Sequence, residues 1–330
     1  MRVALDAMGG DGAPGVPLRA ALAALRDDRG GLSVALVGDP AELEERCRTA
    51  ELPAGGLSLV PASQAIGMDE PPVQAVRRKT DSSIVVGLEL VRDGGADAFV
   101  SAGSTGAVLA ASLFVLGRLP GVDRPTVGAT FPTAGDPVLV LDAGANIDCR
   151  PAHLHQFAHL GSIYVRDVHG IAEPRVGLLN VGEEEEKGDE LATGAHELLA
   201  TDPDLRFVGN VEGNRIIGGA CDVLVTDGFV GNVLLKFYES MAGFITGLLR
   251  ESRETAGAGD ERMEEVLRML DYTEYGGAPL LGVDGVVVLC HGGSPPRAIE
   301  SAIRVASGSV AAGMVEHLRR DLQALAGRTA

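Results

Sequence analysis

The residues that could do chemistry lie mainly in short loops rich in glycine, serine, threonine and asparagine. Two of them, residues 101–106 and 227–232, each stand between an apolar run and a helix-like run. Glycine lets backbone N–H groups approach an anion, and the start of a helix adds partial positive charge. One such loop alone is more often an ordinary turn. Several on one sheet edge favour a phosphate cradle.

Lysine is rare in this chain. Only Lys79, Lys187 and Lys236 among 28 basic residues are lysines, and the rest are arginines. A compact ammonium group donates to a single oxygen and can change its pKa, which a guanidinium cannot do. All three lysines fall in or beside the loops chosen on other grounds. This pattern indicates a role in chemistry, with chance as the alternative because three residues are a small sample.

The histidines and cysteines offer little for a metal. His155 and His159 are four residues apart and share one face if the segment is helical. No acidic third ligand follows at helical spacing, so we favour a surface or hydrogen-bonding role and predict no metal site. The four cysteines form no C-x-x-C pair, which predicts reduced thiols in a cytosolic chain. They are Cys47, Cys149, Cys221 and Cys290.

Charge and missing motifs exclude several classes of protein. With 28 basic and 46 acidic residues the net charge is −18, which argues against a nucleic-acid binder and a passive hold on anionic membranes. The chain has no Walker A motif, no G-x-G-x-x-G and no G-x-S-x-G elbow. Its longest apolar stretch, residues 107–116, is far shorter than the roughly 20 residues that span a bilayer. No signal-peptide pattern is visible at the N-terminus.

A scaffold must bring these loops together, and the sequence alternates strand-like with helix-like runs. Strands are predicted at residues 2–5, 33–37, 98–100, 137–141, 175–179, 223–225 and 286–289. Helices are predicted at residues 17–26, 40–48, 107–116, 233–250 and 297–325. This alternation predicts a three-layer α/β fold with a largely parallel sheet, whose post-strand loops gather at one edge. No linker marks a boundary, so we expect one domain over residues 1–330. A loop is expected at residues 251–261, before a second helix near 262–270.

An ordered set of motifs covers nearly the whole chain. They are Asp6-Ala-Met-Gly-Gly-Asp11, Met68-Asp-Glu-Pro71, Arg77-Arg-Lys79, Asp81-Ser-Ser83, Ser101-Ala-Gly-Ser-Thr-Gly-Ala107, Leu141-Asp-Ala-Gly-Ala-Asn146, Gln156-Phe-Ala158, Leu178-Leu-Asn-Val-Gly-Glu183, Phe207-Val-Gly-Asn-Val-Glu-Gly213, Asp227-Gly-Phe-Val-Gly-Asn232, Tyr275-Gly-Gly-Ala-Pro-Leu-Leu-Gly282 and His291-Gly292. In this order they resemble the bacterial acyl-ACP:phosphate acyltransferase family of phospholipid synthesis, where ACP is the acyl carrier protein. Ser104 stands where that family usually has Asn, and Asn214-Arg215 where it usually has Arg-Asp.

The resemblance implies a reaction and its setting. Long-chain acyl-ACP and inorganic phosphate would give acyl phosphate and free ACP, and a membrane glycerol-3-phosphate acyltransferase would use the product. It also implies an architecture like that of isocitrate and isopropylmalate dehydrogenases, a homodimer, and no metal or organic cofactor. The expected location is the cytoplasm, with peripheral contact at the inner face of the cell membrane.

Phosphate is an adequate nucleophile, so the chain need not supply a serine or cysteine. The protein must hold phosphate beside the thioester and stabilise the oxyanion. Lys187 is the leading candidate for neutralising the oxyanion or protonating the thiolate. His291 is a second proton-donor candidate, and a turn histidine bonded to backbone is its alternative. Asp6, Asp11, Asn146 and Asn180 would orient the site. The residues expected to bind phosphate or substrate are Gly9, Gly10, Asp11, Ser104, Thr105, Gly106, Asn146, Asp227, Gly231 and Asn232.

Two further surfaces follow from the inferred reaction. ACP is acidic, so docking to this acidic chain needs a local basic patch, for which Arg77, Arg78 and Lys79 are candidates beside the alternative of a solvated helix face. Residues 233–275 are expected to form a helical subregion that faces a dimer partner or a membrane. The alternatives for function are a short-chain acyl-CoA phosphate acyltransferase and a non-enzymatic phospholipid- or nucleotide-sensing adaptor.

Overall fold

The structure, a computed structural model, describes residues 1–28, 31–50, 55–256 and 276–326, with side chains at 250–256 and 326 left aside. The described strands are β1 Arg2–Asp6, β2 Ser33–Gly38, β3 Leu57–Pro61, β4 Ala98–Ser101, β5 Thr126–Phe131, β6 Val138–Leu141, β7 Arg175–Asn180, β8 Arg206–Glu212, β9 Val223–Val225, β10 Ala278–Leu281 and β11 Val286–Leu289. The described helices are α1 Gly15–Asp27, α2 Pro40–Thr49, α3 Pro72–Arg78, α4 Ser83–Arg92, α5 Thr105–Val115, α6 Pro151–Val168, α7 Glu190–Thr201, α8 Gly228–Ala256, α9 Pro296–Ala311 and α10 Met314–Ala326. A short 3-10 helix covers Gly213–Arg215.

The chain divides into two compact units. Unit 1 contains residues 1–125 together with the chain from 276 onward, and unit 2 contains residues 126–275. The sequence carries no proline- or serine-rich linker where the units meet along the chain, so composition alone did not reveal this division. The expectation of one functional domain over residues 1–330 spans both units.

The sheet of unit 1 has the strand order β3-β2-β1-β4-β11-β10. Neighbouring strands are parallel, apart from the antiparallel pair of β10 and β11. Apolar residues such as Leu5, Leu36 and Phe99 are fully buried, as expected for strands covered on both faces. Helix α1 packs against α9, while α4 packs against α5, and both pairs contact the sheet. The predicted layered α/β architecture is therefore confirmed.

The sheet of unit 2 has the strand order β5-β6-β9-β7-β8. Strands β5 and β6 are antiparallel, and the other pairs are parallel. Helices α6 and α7 pack against each other and onto this sheet. Because parallel strands share a direction, the loops after β6, β7, β8 and β9 leave the sheet at one edge.

Several predicted elements differ from the structure. The final helical stretch is two helices, because Gly313 adopts φ +64° between α9 and α10. The loop predicted from residue 251 is wrong for residues 251–256, where α8 continues. The remainder of that loop and the helix predicted near 262–270 lie outside the described residues. Strands β3, β5, β8 and β10 were not predicted: β3 and β10 contain a proline, and β5 and β8 contain a glycine, which weakens a strand pattern.

No helix in the part of the chain that the structure describes is long and apolar enough to cross a bilayer.

Candidate active site

The candidate residues fall into both units. In unit 1 a cluster forms around Asp6, the last residue of β1, which is 1% exposed. Asp6 Oδ1 accepts from the backbone N–H of Met8 at 3.0 Å, and Oδ2 accepts from the Ser101 hydroxyl at 2.7 Å. Burial raises the pKa of Asp6, and hydrogen bonds from Ser83, Ser101 and the backbone only partly oppose this. Asp6 therefore ties the loop after β1 to the loop after β4, and its orienting role in the reaction stays a prediction.

Glycines let three loops of unit 1 approach one another. A Cβ on Gly9 would lie 2.5 Å from Asp6 Oδ2 and 2.6 Å from the backbone nitrogen of Gly103. Gly10 has φ +90°, a conformation that side chains rarely adopt. The backbone N–H of Asp11 donates to the carbonyl of Gly292 at 2.9 Å. The loops after β1, β4 and β11 consequently meet at one sheet edge.

The start of α5 lies on one of these loops. Ser104 is the N-cap residue of α5 and is buried, but its side chain makes no capping hydrogen bond. Thr105 begins the helix, and a Cβ on Gly106 would lie 2.8 Å from the ring of Pro72. Because Ser104 does not cap the first N–H groups of α5, the position in front of this helix suits an anion. The predicted trio of Ser104, Thr105 and Gly106 is thus brought together as a candidate phosphate cradle.

His291 follows β11 and is exposed. Its Nδ1 accepts a hydrogen bond from the backbone N–H of Gly293 at 3.2 Å. A neutral ring that accepts at Nδ1 carries its proton on Nε2. His291 is therefore a turn histidine bonded to backbone, which was one of its two predicted roles. Its Nε2 proton also leaves it able to act as a proton donor, the other predicted role.

Unit 2 contains a second buried carboxylate that sequence reasoning missed. Asp142 directly follows β6 and is fully buried. Its Oδ1 accepts from the backbone of Val127 at 3.0 Å and of Ala145 at 3.1 Å. Its Oδ2 accepts from the backbone of Asn146 at 2.6 Å and from the Asn146 amide at 2.8 Å. Burial raises the pKa of Asp142 against these bonds. The repeated Leu-Asp-Ala after a strand, at residues 5–7 and 141–143, was the available signal.

The start of α8 packs onto this Asp142 loop. The carboxylate of Asp227 accepts from the backbone N–H groups of Phe229 at 2.8 Å and Val230 at 3.0 Å. A Cβ on Gly231 would lie only 1.9 Å from the carbonyl oxygen of Asp142. Asp227 and Gly231, predicted as phosphate ligands, therefore have structural roles here: one caps α8 and the other allows its close approach. Asn232 lies beside Gly144 of the same loop.

Lys187 lies in an acidic loop that two asparagines hold. Asn180, at the end of β7, donates its amide to the carbonyl of Lys187 at 2.9 Å. Asn210 donates to the carbonyl of Glu184 at 2.7 Å, and its Oδ1 lies 3.0 Å from Nδ1 of His196. Asn180 therefore holds the Lys187 loop, and its orienting role in the reaction stays a prediction. Asn210 and His196 were missed because they lie on other elements. Lys187 itself is exposed.

The basic residues around α3 differ in their surroundings. Arg77 and Arg78 are exposed, and the guanidinium of Arg77 lies 5.2 Å from the ring centre of Phe114. Lys79 instead pairs with Glu70 at 2.6 Å and donates to the carbonyl of Ala65 at 2.7 Å. Lys79 therefore serves the internal packing of its loop, and the two arginines are the better docking candidates.

Two cysteines are poor nucleophiles. Burial raises the pKa of Cys221 and of Cys290 to about 12. A thiol with such a pKa holds almost no thiolate near neutral pH, and the thiolate is the nucleophile. All four cysteines lie within the described part of the chain and are thiols rather than disulfides, as predicted. Acyl transfer through Cys221 or Cys290 is therefore disfavoured.

One group of side chains has donors suited to a metal. His155 and His159 of α6 both contact Asp202, which follows α7. The sequence showed no acidic partner at helical spacing, because this partner comes from a different helix. The predicted hydrogen-bonding role of the histidines is what the structure shows.

Comparison with known proteins gives the family. A family model described as "Fatty acid synthesis protein" matches residues 1–317. A phosphate acyltransferase of Desulforamulus reducens is 49% identical over 330 residues, covering 98% of either chain. A phosphotransacetylase from Streptococcus pyogenes has a TM-score of 0.64 at 16% identity, covering 96% of this chain and 94% of its own. A 4-hydroxythreonine-4-phosphate dehydrogenase from Klebsiella pneumoniae has a TM-score of 0.55 at 13% identity, covering 94% and 97%.

The two solved structures show that a phosphotransacetylase and a dehydrogenase share this α/β fold, which confirms the expected architecture. The sequence relatives carry the assignment further, because their identity extends over the whole chain. The chain belongs to the phosphate acyltransferase family of fatty acid and phospholipid synthesis, and it is an acyltransferase of that family.

Proposed function

We propose that this enzyme transfers a long-chain acyl group from acyl-ACP to inorganic phosphate, releasing acyl phosphate and free ACP. The observation that carries the phosphate part is the start of α5, where Ser104 leaves the first N–H groups without a side-chain cap. Because Asp227 caps α8 with a carboxylate, the α8 start is the weaker candidate for an anion. Membership of an enzyme family also removes the ground for a non-enzymatic adaptor.

In the proposed reaction, a phosphate oxygen attacks the thioester carbonyl. A C–O bond forms, the negative charge moves to the carbonyl oxygen, and the C–S bond then breaks to release a thiolate that takes a proton. We assign Lys187 to the oxyanion or to this proton, with His291 Nε2 as the second proton donor. Most of the rate acceleration comes from holding the reactants together and from stabilising the oxyanion. An enzyme nucleophile is therefore not needed.

The Lys187→Arg variant tests this assignment. It keeps the positive charge but replaces a compact ammonium with a planar fork. We expect kcat for acyl phosphate formation from palmitoyl-ACP and phosphate to fall about 100- to 1,000-fold, the usual cost of one oxyanion donor. The matched control is Lys236→Arg, on the surface of α8, which should retain its rate. Near-normal acyl phosphate formation by Lys187→Arg would remove Lys187 from the mechanism.

Apolar side chains on the loops of unit 2 support the proposal that the acyl donor carries a long chain. Each is exposed and each follows a different strand, β6, β7 or β8: they are Ile147, Val181 and Ile217. An alkyl chain gains about 0.8 kcal/mol for each CH₂ that leaves water, so such a surface favours a long donor. The alternative is a short-chain acyl-CoA donor.

A direct comparison of donors separates the two. Palmitoyl-ACP should yield acyl phosphate far more efficiently than acetyl-CoA, and Val181→Ser, at a side chain that is 80% exposed, should raise KM for palmitoyl-ACP. Equal use of acetyl-CoA would favour the short-chain alternative.

For ACP docking we propose Arg77 and Arg78, which give the acidic chain a local basic patch. Replacing both with Glu should raise KM for palmitoyl-ACP while kcat stays close to wild type. Arg46→Glu on the exposed end of α2 is the matched control for a lost surface charge. An unchanged KM in the double variant would end the docking proposal.

Helix α8 carries an exposed apolar stripe, and we propose that the first part of this stripe packs against a second copy of the chain. The stripe consists of Phe229, Val233, Phe237, Met241, Phe244 and Leu248. Its distal part, from Met241 onward, is the better candidate for a membrane surface. A Phe244→Glu, Leu248→Glu variant that stays dimeric yet no longer floats with liposomes would place the distal part on the membrane. A variant that becomes monomeric would place it in the dimer.

A further inference from the structure

The two histidines of α6 and one aspartate after α7 converge on a single point in unit 2. His155 Nε2 lies 2.6 Å from Asp202 Oδ2, and His159 Nε2 lies 2.8 Å from the same oxygen. The candidate ligand atoms of all three side chains lie within 4.8 Å of one another. Two imidazole nitrogens and one carboxylate oxygen are therefore already gathered on one side of a helix pair.

The surroundings make this cluster a pre-formed site. Asp202 Oδ1 accepts from the backbone N–H of Asp204 at 2.8 Å, which fixes the carboxylate and turns Oδ2 toward the rings. The rings of His155 and His159 stand edge to face, with centroids 4.9 Å apart. The side chain of His159 is 8% exposed and that of Asp202 11%, whereas His155 is 29% exposed and leaves a route from solvent.

We propose that His155, His159 and Asp202 bind one divalent ion of the zinc class, in a site separate from the residues assigned to acyl transfer. Nitrogen with one carboxylate oxygen is a donor set that zinc and its neighbours among the transition metals prefer to the oxygen-only sets of Mg²⁺ and Ca²⁺. Three protein ligands leave a fourth tetrahedral position that solvent can fill.

Loading needs only small movements. Donors bound to one tetrahedral zinc at about 2.0–2.1 Å lie about 3.4 Å from each other. The hydrogen-bonded distances of 2.6 and 2.8 Å must therefore open by less than about 1 Å, which side-chain torsions provide. Each imidazole moves its proton from Nε2 to Nδ1, so that the Nε2 lone pair faces the ion. The ion would then link α6 to the end of α7 and stabilise their packing.

The test starts from the full chain after EDTA has removed bound metal. The chain is titrated with Zn²⁺ alone, and calorimetry measures the heat of binding. We expect one tight site per chain, and a Tm that rises with Zn²⁺ concentration because the ion binds the folded state. His155→Gln and Asp202→Asn should each weaken binding more than about 100-fold, beyond the 10–100-fold typical of lost outer-shell partners. His317→Gln on α10 is the matched control and should bind as wild type does.

A measurement on the wild type alone keeps the proposal testable if a variant fails to fold. Co²⁺ in place of Zn²⁺ should give the visible d–d absorption of a low-coordinate nitrogen and oxygen site, saturating at one equivalent. Weak, multivalent binding without that spectrum would overturn the proposal, as would equal affinity in wild type and Asp202→Asn. In either case the three side chains would be a hydrogen-bonded clip, and the Zn²⁺ would be adsorbed to the acidic surface.

Discussion

The Asp6 turn of unit 1 and the Asp142 turn of unit 2 are built from the same Leu-Asp-Ala sequence. In both, a buried aspartate follows an apolar run, has its pKa raised by burial, and accepts backbone N–H bonds from its own loop. They differ in their outside partners. Asp6 is bonded by Ser83 and Ser101 of other elements, whereas Asp142 is bonded mainly by residues 144–146 of its own loop. The Asp6 turn is joined to other elements by two serine side chains, whereas the Asp142 turn is held mostly by its own loop and in addition by the backbone N–H of Val127 on β5.

The helices near these turns differ as well. Helix α5 starts at Ser104 without a side-chain cap, whereas Asp227 caps α8. Gly231 lets α8 lie directly on the Asp142 carbonyl. Two loops of similar composition therefore differ in their caps: Ser104 leaves the start of α5 without one, where we propose that phosphate binds, and Asp227 caps the start of α8.

The largest effect is expected from Gly231→Ala. A Cβ there would lie 1.9 Å from the carbonyl oxygen of Asp142, a backbone atom that cannot move without disturbing the whole turn. We expect the free energy of unfolding in urea to fall by about 3 kcal/mol or more. Gly243→Ala on the same helix meets no atom within 4 Å and should instead stabilise by about 0.8–1 kcal/mol. Similar results for both would show that α8 does not press on the Asp142 turn.

Ser101→Ala removes the hydroxyl group that joins β4 to Asp6. Asp6 would lose a donor at Oδ2 while remaining buried, so its pKa should rise further. We expect a loss of about 1–3 kcal/mol in unfolding free energy, the cost of an unsatisfied buried group. The control, Ser309→Ala, removes a buried hydroxyl whose bond is to its own helix at Val305, and should change stability by less than about 1 kcal/mol. Equal losses would remove the special role of the Asp6–Ser101 bond.

The two helix starts can be compared by Asp227→Ala and Ser104→Ala. Removing the Asp227 cap should cost about 1 kcal/mol of stability, since two backbone N–H groups lose their acceptor. Ser104→Ala removes no capping bond and should therefore cost less stability than Asp227→Ala. KM for phosphate should rise more in Ser104→Ala than in Asp227→Ala, because Ser104 belongs to the proposed phosphate cradle. The reverse order of the two stability losses would contradict the assigned caps.

The smallest effect is a change in pH dependence. Because the pKa of Asp142 is raised above its ordinary 3.8, the folded state binds more protons than the unfolded chain above that pH. Its contribution to stability is full below 3.8 and is lost as the pH rises through the raised pKa, with a slope of at most about 1.4 kcal/mol for each pH unit crossed. In urea unfolding, Asp142→Asn should remove this dependence of stability on pH. The substitution should also lower the free energy of unfolding by an amount that does not change with pH. An unchanged slope would show that Asp142 does not titrate in this window.

Sequence reasoning identified much of unit 1 but less of unit 2. The glycines at 9 and 10 and the start of α5 were found because turn and helix-start signals are local. Asp142 was overlooked, although it lies in the Leu141–Asn146 motif, because nothing in the chain's order shows that Val127 would bond it. The same limit explains Asn210, whose contact with the Lys187 loop joins residues far apart in the chain.

By itself, the sequence determined the alternation of strands and helices, the edge at which the loops gather, and the family, because hydrophobic periodicity and ordered motifs are properties of the chain alone. The tertiary structure decided which carboxylates are buried, that Asp227 caps α8, that Lys79 pairs with Glu70, and that Asp202 meets the two histidines of α6. These outcomes depend on desolvation and on contacts between separate elements, and neither exists until the chain has packed.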